Sequence, residues 1–341
     1  MINAVYRLVA PRMIEVTYKE LELTGENMIL RPVKMSVCKA DQRYYQGARS
    51  QAVLKQKLPM ALIHECVARV VYDPSGSFRP GDMVIPVPTL PADEDEVIGE
   101  NYRPGVFLSS GADGFLQDLI SHPVDRTVLL PGSVTNLNVA SFTELVSVGV
   151  QAVRRYERIA HSRRERVGIW GDGNVGFITA LVFHSLHPET KLYVFGTVEE
   201  KLAYFSFAEK TFHVDHVEPG VRVDHAFECV GGAGSESAIN QMIDLVEPEG
   251  LLMLMGVSEN FVRVNTRMVL EKGLRLAGSS RSSRADFETA VGLMAKDRNF
   301  IDGLDKLVGD VVSVSSIPDI HRAFDLDFHR SLGKTVINWV K

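Results

Sequence analysis

The stretch "RVGIWGDGNVGFITALVFHSLHPETKLYVFG", residues 166–196, decides the reading of this chain. A short apolar run, a glycine-rich turn, a longer helix-like run and a second apolar run follow in order, which spells βαβ. Gly171-Asp172-Gly173-Asn174-Val175-Gly176 has the form GxGxxG. That pattern alone is weak, but between a strand and a helix it reads as a dinucleotide cradle. Gly171 permits the tight turn, Gly173 lets the backbone approach a pyrophosphate, and Gly176 lets helix and strand pack closely. Asn174 and Val175 open the helix, whose free N–H groups and positive dipole end suit phosphate. The plainer alternative is a glycine turn with no ligand.

The second strand bears on which dinucleotide is bound. An NAD site usually ends that strand with Asp or Glu on the ribose hydroxyls. Here "KLYVF" ends in Gly196-Thr197, which leaves room for a 2′-phosphate and removes a repelling charge. Lys201, a turn later, can pair with that phosphate, while Glu199 and Glu200 argue the other way. The balance favours NADP(H). Val230 in "FECVGG" and Val257 in "LMGV" complete the cofactor candidates.

The texture continues outward from this unit. "VRVDHAFECVGG", "EGLLMLMGVSE" and "GLRLAGSS" read as further strands, and "SESAINQMIDLVEPEG" as a helix with a Pro/Gly stop. Alternation on this scale implies a doubly wound parallel sheet covered on both faces. Residues 1–135 are instead β-rich, with short apolar runs between Gly/Pro turns. The acidic segment 88–105 reads as an exposed loop. Residues 140–157 have helical spacing, with Thr143 or Ser141 as candidate caps. The expected division is a β-rich catalytic domain at 1–138, a nucleotide-binding domain at 139–280, and a tail at 281–341 that returns to the first domain.

Composition sets the outer bounds. The chain has 341 residues, 45% hydrophobic and 23% charged, which suits a globular protein with two domains. A net charge of −6 gives no general affinity for nucleic acid. No apolar run is long enough for a membrane span, and the N-terminus lacks a signal pattern. Three cysteines, Cys38, Cys66 and Cys229, are too few for a disulfide framework, so a reducing cytoplasm is expected. Cys66 and Cys229 read as packing residues.

One apolar segment, "LPMALIHECVARV" at 58–70, carries His64 and Glu65 side by side. A buried carboxylate is costly unless it is paired or holds a metal. A hydride-transfer cofactor needs a partner that polarises a carbonyl or alcohol oxygen, and zinc does this as a Lewis acid held by N, S and O ligands. Cys38, His64-Glu65 and Glu144 are scattered candidates for such a site. The plainer reading of His64-Glu65 is a core histidine beside a local salt bridge.

The order Cys38, His64-Glu65, Glu144 and "GDGNVG" resembles the zinc-dependent medium-chain dehydrogenase/reductases. "TELVSVGVQAVRR", "DHAFECVGG" and "EGLLMLMGV" carry the likeness along the whole chain. The resemblance implies a GroES-like β domain beside a Rossmann domain, with Cys38, His64 and Glu144 as zinc ligands and Glu65 as a ligand or an exchangeable one. Asp41 would orient His64. Two departures stand out: Ile63 occupies a position that is commonly Gly, and Ala40 removes a hydroxyl relay. Proton delivery then falls to Tyr44, a water held by Glu65, or a substrate hydroxyl. The four-cysteine lobe of the family is absent, so one catalytic zinc per chain and no structural zinc are expected.

Within the family the chain is most similar to the bacterial ribulose-5-phosphate reductases. "YRLVAPR", "DQRYYQG", "QKLPMALIHE" and "NTRMVLEKGL" carry that likeness. It implies NADPH-dependent reduction of D-ribulose 5-phosphate to D-ribitol 5-phosphate, feeding CDP-ribitol for teichoic acid or capsule. Lys39, Arg43, Arg281 and Arg284 are the candidate phosphate clamp. A cytoplasmic homodimer is expected, with a possible complex with the cytidylyltransferase that uses the product, and with no nucleic-acid or membrane partner. Two alternatives are an NAD-dependent polyol dehydrogenase on an unphosphorylated alditol and a non-catalytic NADPH-binding sensor or scaffold. A zinc-free reductase of the same fold is a third.

Overall fold

The computed structural model describes every residue except Thr24. The chain forms two compact units, residues 1–147 with 282–341, and residues 148–281. Residues 139–147 and Arg281 therefore fall differently from the expected boundaries. The helix Thr143–Ile159 gives its first turn to the first unit and its remainder to the second.

The first unit is β-rich. Among its described residues, the main sheet runs Thr127–Leu129, Met83–Pro86, Cys66–Tyr72, Asn27–Ser36, Lys334–Trp339 and Val308–Val314, with Ile120–Pro123 also pairing Asn27–Ser36. Asn27–Ser36 is central. It pairs antiparallel with Cys66–Tyr72 on one side and with Lys334–Trp339 on the other, so that Met35 faces Cys66 and Ser36 faces Val336. Three segments distant in sequence thus reach one end of the sheet together. Met28, Leu30, Ala68, Phe115, Phe324 and Ile337 belong to a core that is almost wholly withdrawn from water.

The tail forms a helix, Arg284–Lys296, and ends in a strand, Lys334–Trp339. The acidic 88–105 segment is more ordered than a loop, because Thr89–Pro91 pairs with Gly105–Phe107. Neither candidate cap acts on the helix Thr143–Ile159. The Thr143 hydroxyl donates back to the Ala140 carbonyl at 2.7 Å and the Ser141 hydroxyl to the Asn138 carbonyl at 2.7 Å. Both satisfy carbonyls of the preceding turn (Leu137–Ala140 is itself a short helix).

The second unit carries a parallel sheet in the order Lys210–His213, Lys191–Gly196, Arg166–Trp170, His225–Glu228, Leu251–Leu254, Arg275–Gly278. Chain order reverses at Arg166–Trp170, the switch point at which open α/β sheets bind ligands. Trp170 and Phe195 stack with centroids 3.9 Å apart beneath that point. The glycine motif leads from Trp170 into the helix Asn174–Leu186, as its spacing predicts.

Candidate active site

The sheet register of the first unit places the metal candidates. Cys38 follows the central strand and is the N-cap of the helix Lys39–Tyr45. His64 and Glu65 immediately precede Cys66–Tyr72, the neighbouring strand. Ligand atoms of Cys38, His64 and Glu65 lie within 4.8 Å of one another. Glu144, in the first turn of its helix, brings Oε2 to 3.9 Å from His64 Nε2. The opposite ring nitrogen, Nδ1, is 3.4 Å from Asp41 Oδ1 and has no hydrogen bond of its own.

Asp41 is completely buried and holds several parts together. Its Oδ1 accepts from the Ile63 N–H at 3.0 Å and from the Ser109 hydroxyl at 2.6 Å, and its Oδ2 accepts from the Cys38 N–H at 3.2 Å. Burial alone would raise this carboxyl, but His64, Ser109 and the Ile63 N–H outweigh it and hold the group below its usual range. Ile63 pays conformationally for its place: φ is +71°, left-handed, in a fully buried β-branched residue. The glycine common in the family at that position would adopt this conformation freely.

Glu65 is held by groups that local sequence gives no hint of. Lys334 Nζ donates to Glu65 Oε1 at 2.6 Å, and the Ser36 hydroxyl donates to Oε2 in a very short hydrogen bond. Lys334 is 2% exposed. Burial would depress its ammonium, yet Glu65 and Cys38 beside it push the group above its ordinary value. Burial also raises the Glu144 carboxyl to about 7, with Glu65 and Asp41 adding to the effect against His64 and Lys334. His64 is raised well above its usual value: burial opposes this, but Asp41 and Cys38 prevail. A partly buried thiol gathered with buried imidazole and carboxylate donors, with a carboxylate behind the imidazole, fits a zinc ion.

The remaining candidates are placed as follows. Tyr44 is buried, with the Arg49 guanidinium 5.2 Å above its ring. Arg43 lies on the same helix, partly exposed. Lys39 is committed elsewhere: its ammonium bonds the Asp327 carbonyl at 3.1 Å, the Asp327 carboxylate at 3.4 Å and the Arg330 carbonyl at 3.3 Å. Arg284 pairs with Glu288 at 3.3 Å, while its backbone N–H bonds Glu100. Arg281 has φ of +57° and closes the second unit. Cys66 and Cys229 are buried, and burial raises both thiols.

In the second unit the glycine cradle fits a dinucleotide. Gly171 has φ of +126°, and a Cβ there would stand 2.9 Å from the Cys229 backbone. A Cβ on Gly176 would stand 1.9 Å from the Gly171 carbonyl oxygen, whereas one on Gly173 would meet nothing within 4 Å. The open side of Gly173 is the side a pyrophosphate needs. A cavity of about 320 Å³ borders Gly171, Gly173, Gly196, Thr197 and Val230. Lys201 is partly exposed in the short helix Glu199–Leu202, where Glu199 and Glu200 are exposed. Val230 and the exposed Val257 sit on loops joined by buried Glu228, whose carboxylate accepts from the Val230, Gly231 and Gly256 N–H groups at 2.8–3.0 Å. The space beside Gly196 is not open as expected: a Cβ there would meet Asp172 Oδ2 at 2.8 Å.

Comparison with known proteins agrees with this chemistry. Residues 183–296 match the family described as zinc-binding dehydrogenase. Ribulose-5-phosphate reductase 1 of Staphylococcus aureus is 50% identical over 341 residues, all of both chains. The ribulose-5-phosphate reductase of Bacillus spizizenii is 49% identical over 99% of both. The crystal structure of S. aureus TarJ in complex with NADPH superposes with a TM-score of 0.90 at 47% identity over the whole of both chains. Galactitol-1-phosphate dehydrogenase of Escherichia coli shares the fold alone, at 19% identity, 98% and 99% coverage and TM-score 0.81. With full-length identity near one half and a glycine cradle and zinc-type donor set in place, the chain belongs to the ribulose-5-phosphate reductases, a branch of the zinc-binding medium-chain dehydrogenases.

Proposed function

We propose that this protein is an oxidoreductase that uses NADPH to reduce D-ribulose 5-phosphate to D-ribitol 5-phosphate. The observation that carries the reading is the full-length likeness to ribulose-5-phosphate reductases together with the Cys38/His64/Glu65 cluster. Cys38, His64 and Glu144 would hold a single catalytic zinc, with no structural zinc elsewhere. When bound, zinc supplies Lewis-acid polarisation of the C2 carbonyl, and the nicotinamide supplies hydride.

The chain's own residues do the rest. Asp41 orients His64 and favours the tautomer that leaves Nε2 free for the metal. Lys334 and Ser36 hold Glu65 at the edge of the donor set, in reserve as an exchangeable ligand. With Ala40 unable to relay a proton, Tyr44 or a water at Glu65 serves as proton source. Gly171, Gly173 and Gly176 shape the pyrophosphate cradle, with Asn174 and Val175 at its helix. Thr197 and Lys201 receive the 2′-phosphate. Lys39, Arg43, Arg281 and Arg284 are the candidates for the substrate phosphate, with Lys39 also paired to Asp327 and Arg284 to Glu288.

The product would feed CDP-ribitol for teichoic acid or capsule in the cytoplasm, with the cytidylyltransferase of that route as a possible partner. A homodimer is the expected assembly. The edge strand Arg275–Gly278, with Arg275, Leu276 and Gly278 exposed, favours it. Initial rates with D-ribulose 5-phosphate and D-ribulose, each with NADPH and NADH, test the function. Turnover that needs the sugar phosphate and is faster with NADPH than with NADH is expected; equal rates on the unphosphorylated sugar would indicate a polyol dehydrogenase instead.

A further inference from the structure

The strand Lys191–Gly196 ends without an acid of its own, yet a carboxylate stands at its end. It comes from Asp172, in the first variable position of the glycine motif. Asp172 Oδ2 accepts from the Thr197 N–H at 2.7 Å and the Val198 N–H at 2.9 Å, with the Thr197 hydroxyl at 3.4 Å. A Cβ on Gly196 would lie 2.7 Å from the Asp172 Cβ. The loop is pinned from its other side, where His213 Nε2 lies 3.1 Å from the Thr197 carbonyl oxygen. Asp172, Gly196 and Thr197 all border the same cavity as the pyrophosphate cradle.

We propose that Asp172 is a specificity-determining residue that restrains recognition of the 2′-phosphate. The inference rests on the NADPH reading given above. An acid at this place serves a ribose 2′-hydroxyl well and repels a 2′-phosphate. Gly196 removes that acid from the strand, and Asp172 returns a carboxylate to the same place from the neighbouring turn. Its hydrogen bonds fix it there, so its charge acts at a defined position. Lys201, on the helix just beyond, has the opposite effect. The site therefore balances one attractive and one repulsive charge. The chain keeps usable affinity for NADH, and its preference for NADPH is smaller than Gly196 and Lys201 alone would set.

Asp172→Asn separates charge from geometry, because the amide oxygen can still accept the two backbone N–H groups. Wild type and variant are titrated calorimetrically with NADP⁺ and NAD⁺ without substrate, and their melting curves are compared. The ratio of NADP⁺ to NAD⁺ affinity is expected to rise about fivefold in the variant, through tighter NADP⁺. Asp172→Ser, also neutral, must move the ratio the same way and serves if the first variant folds poorly. An unchanged or lower ratio in the folded variants overturns the assignment. The wild-type ratio is a separate result: tighter NAD⁺ than NADP⁺ there would contradict the NADPH reading itself.

Discussion

The two candidate sites are built in opposite ways. The cofactor cradle uses neighbours in sequence, mostly backbone and absent side chains, and it is open to solvent. The candidate metal cluster draws Ser36, Cys38, His64, Glu65, Glu144 and Lys334 from across the chain and buries opposed charges. The cradle needs little energy to persist, because glycines and backbone N–H groups are already part of the fold. The cluster persists only while each charge keeps its partner, since an orphaned buried charge is far costlier than a lost pair.

The sharpest way to break the contrast is to remove a proposed ligand. Cys38→Ser should lower zinc affinity and turnover by at least about a hundredfold. Calorimetric binding of NADP⁺ to the second unit should stay near the wild-type value. Equal loss of both would mean that the sites are not independently built.

Removal of a counter-ion comes next. Lys334→Met should cost about 3–5 kcal/mol in urea denaturation, because Glu65 is left buried and unpaired. The double variant Lys334→Met with Glu65→Gln should recover a large part of that loss. Additive losses would show that the pair is not coupled.

A smaller effect concerns the acid limit of the first unit. Burial would raise the Asp113 carboxyl, but the Arg7 guanidinium, the Lys19 ammonium and the Ala61 N–H hold it at about 2. A depressed carboxyl stabilises the fold above its unfolded pKa and loses that contribution as pH falls through the folded one. Asp113→Asn should therefore cost about 2 kcal/mol at neutral pH. The difference from wild type should vanish between pH 3.8 and about 2. A constant difference across that range would rule out the ionic origin.

The smallest effect lies in the backbone. Ile63→Gly and Ile63→Ala both delete the buried side chain, but only glycine relieves φ of +71°. The glycine variant should be the more stable by about 1 kcal/mol. The reverse order would mean that the left-handed conformation carries no strain.

The same contrast explains what the sequence revealed. Five of the six parallel strands and the cradle were legible because GxGxxG and βαβ alternation are local patterns, whereas the short edge strand Lys210–His213 was not read. Cys38, His64 and Glu144 stood out as scattered candidates for a hydride-transfer site, but only the family resemblance joined them into one ligand set, since no spacing does. Lys334 and Ser109 were invisible. A lysine in "GKTVINW" looks like the polar start of a strand, and only the pairing of Val336 with Ser36 carries it to Glu65. The pairing of Lys39 with Asp327 was hidden for the same reason, because the two lie far apart in sequence. Asp172 was hidden inside the motif, where attention falls on the glycines.

The most direct test of the central claim, that these scattered residues form one metal centre, is titration of metal-stripped protein with Co²⁺. Absorption is followed in the thiolate-to-cobalt and visible ligand-field regions. One equivalent per chain should saturate a near-ultraviolet thiolate band and a visible spectrum of tetrahedral type, and Cys38→Ser should abolish the thiolate band. No band, or the same band in the Cys38 variant, would contradict the account.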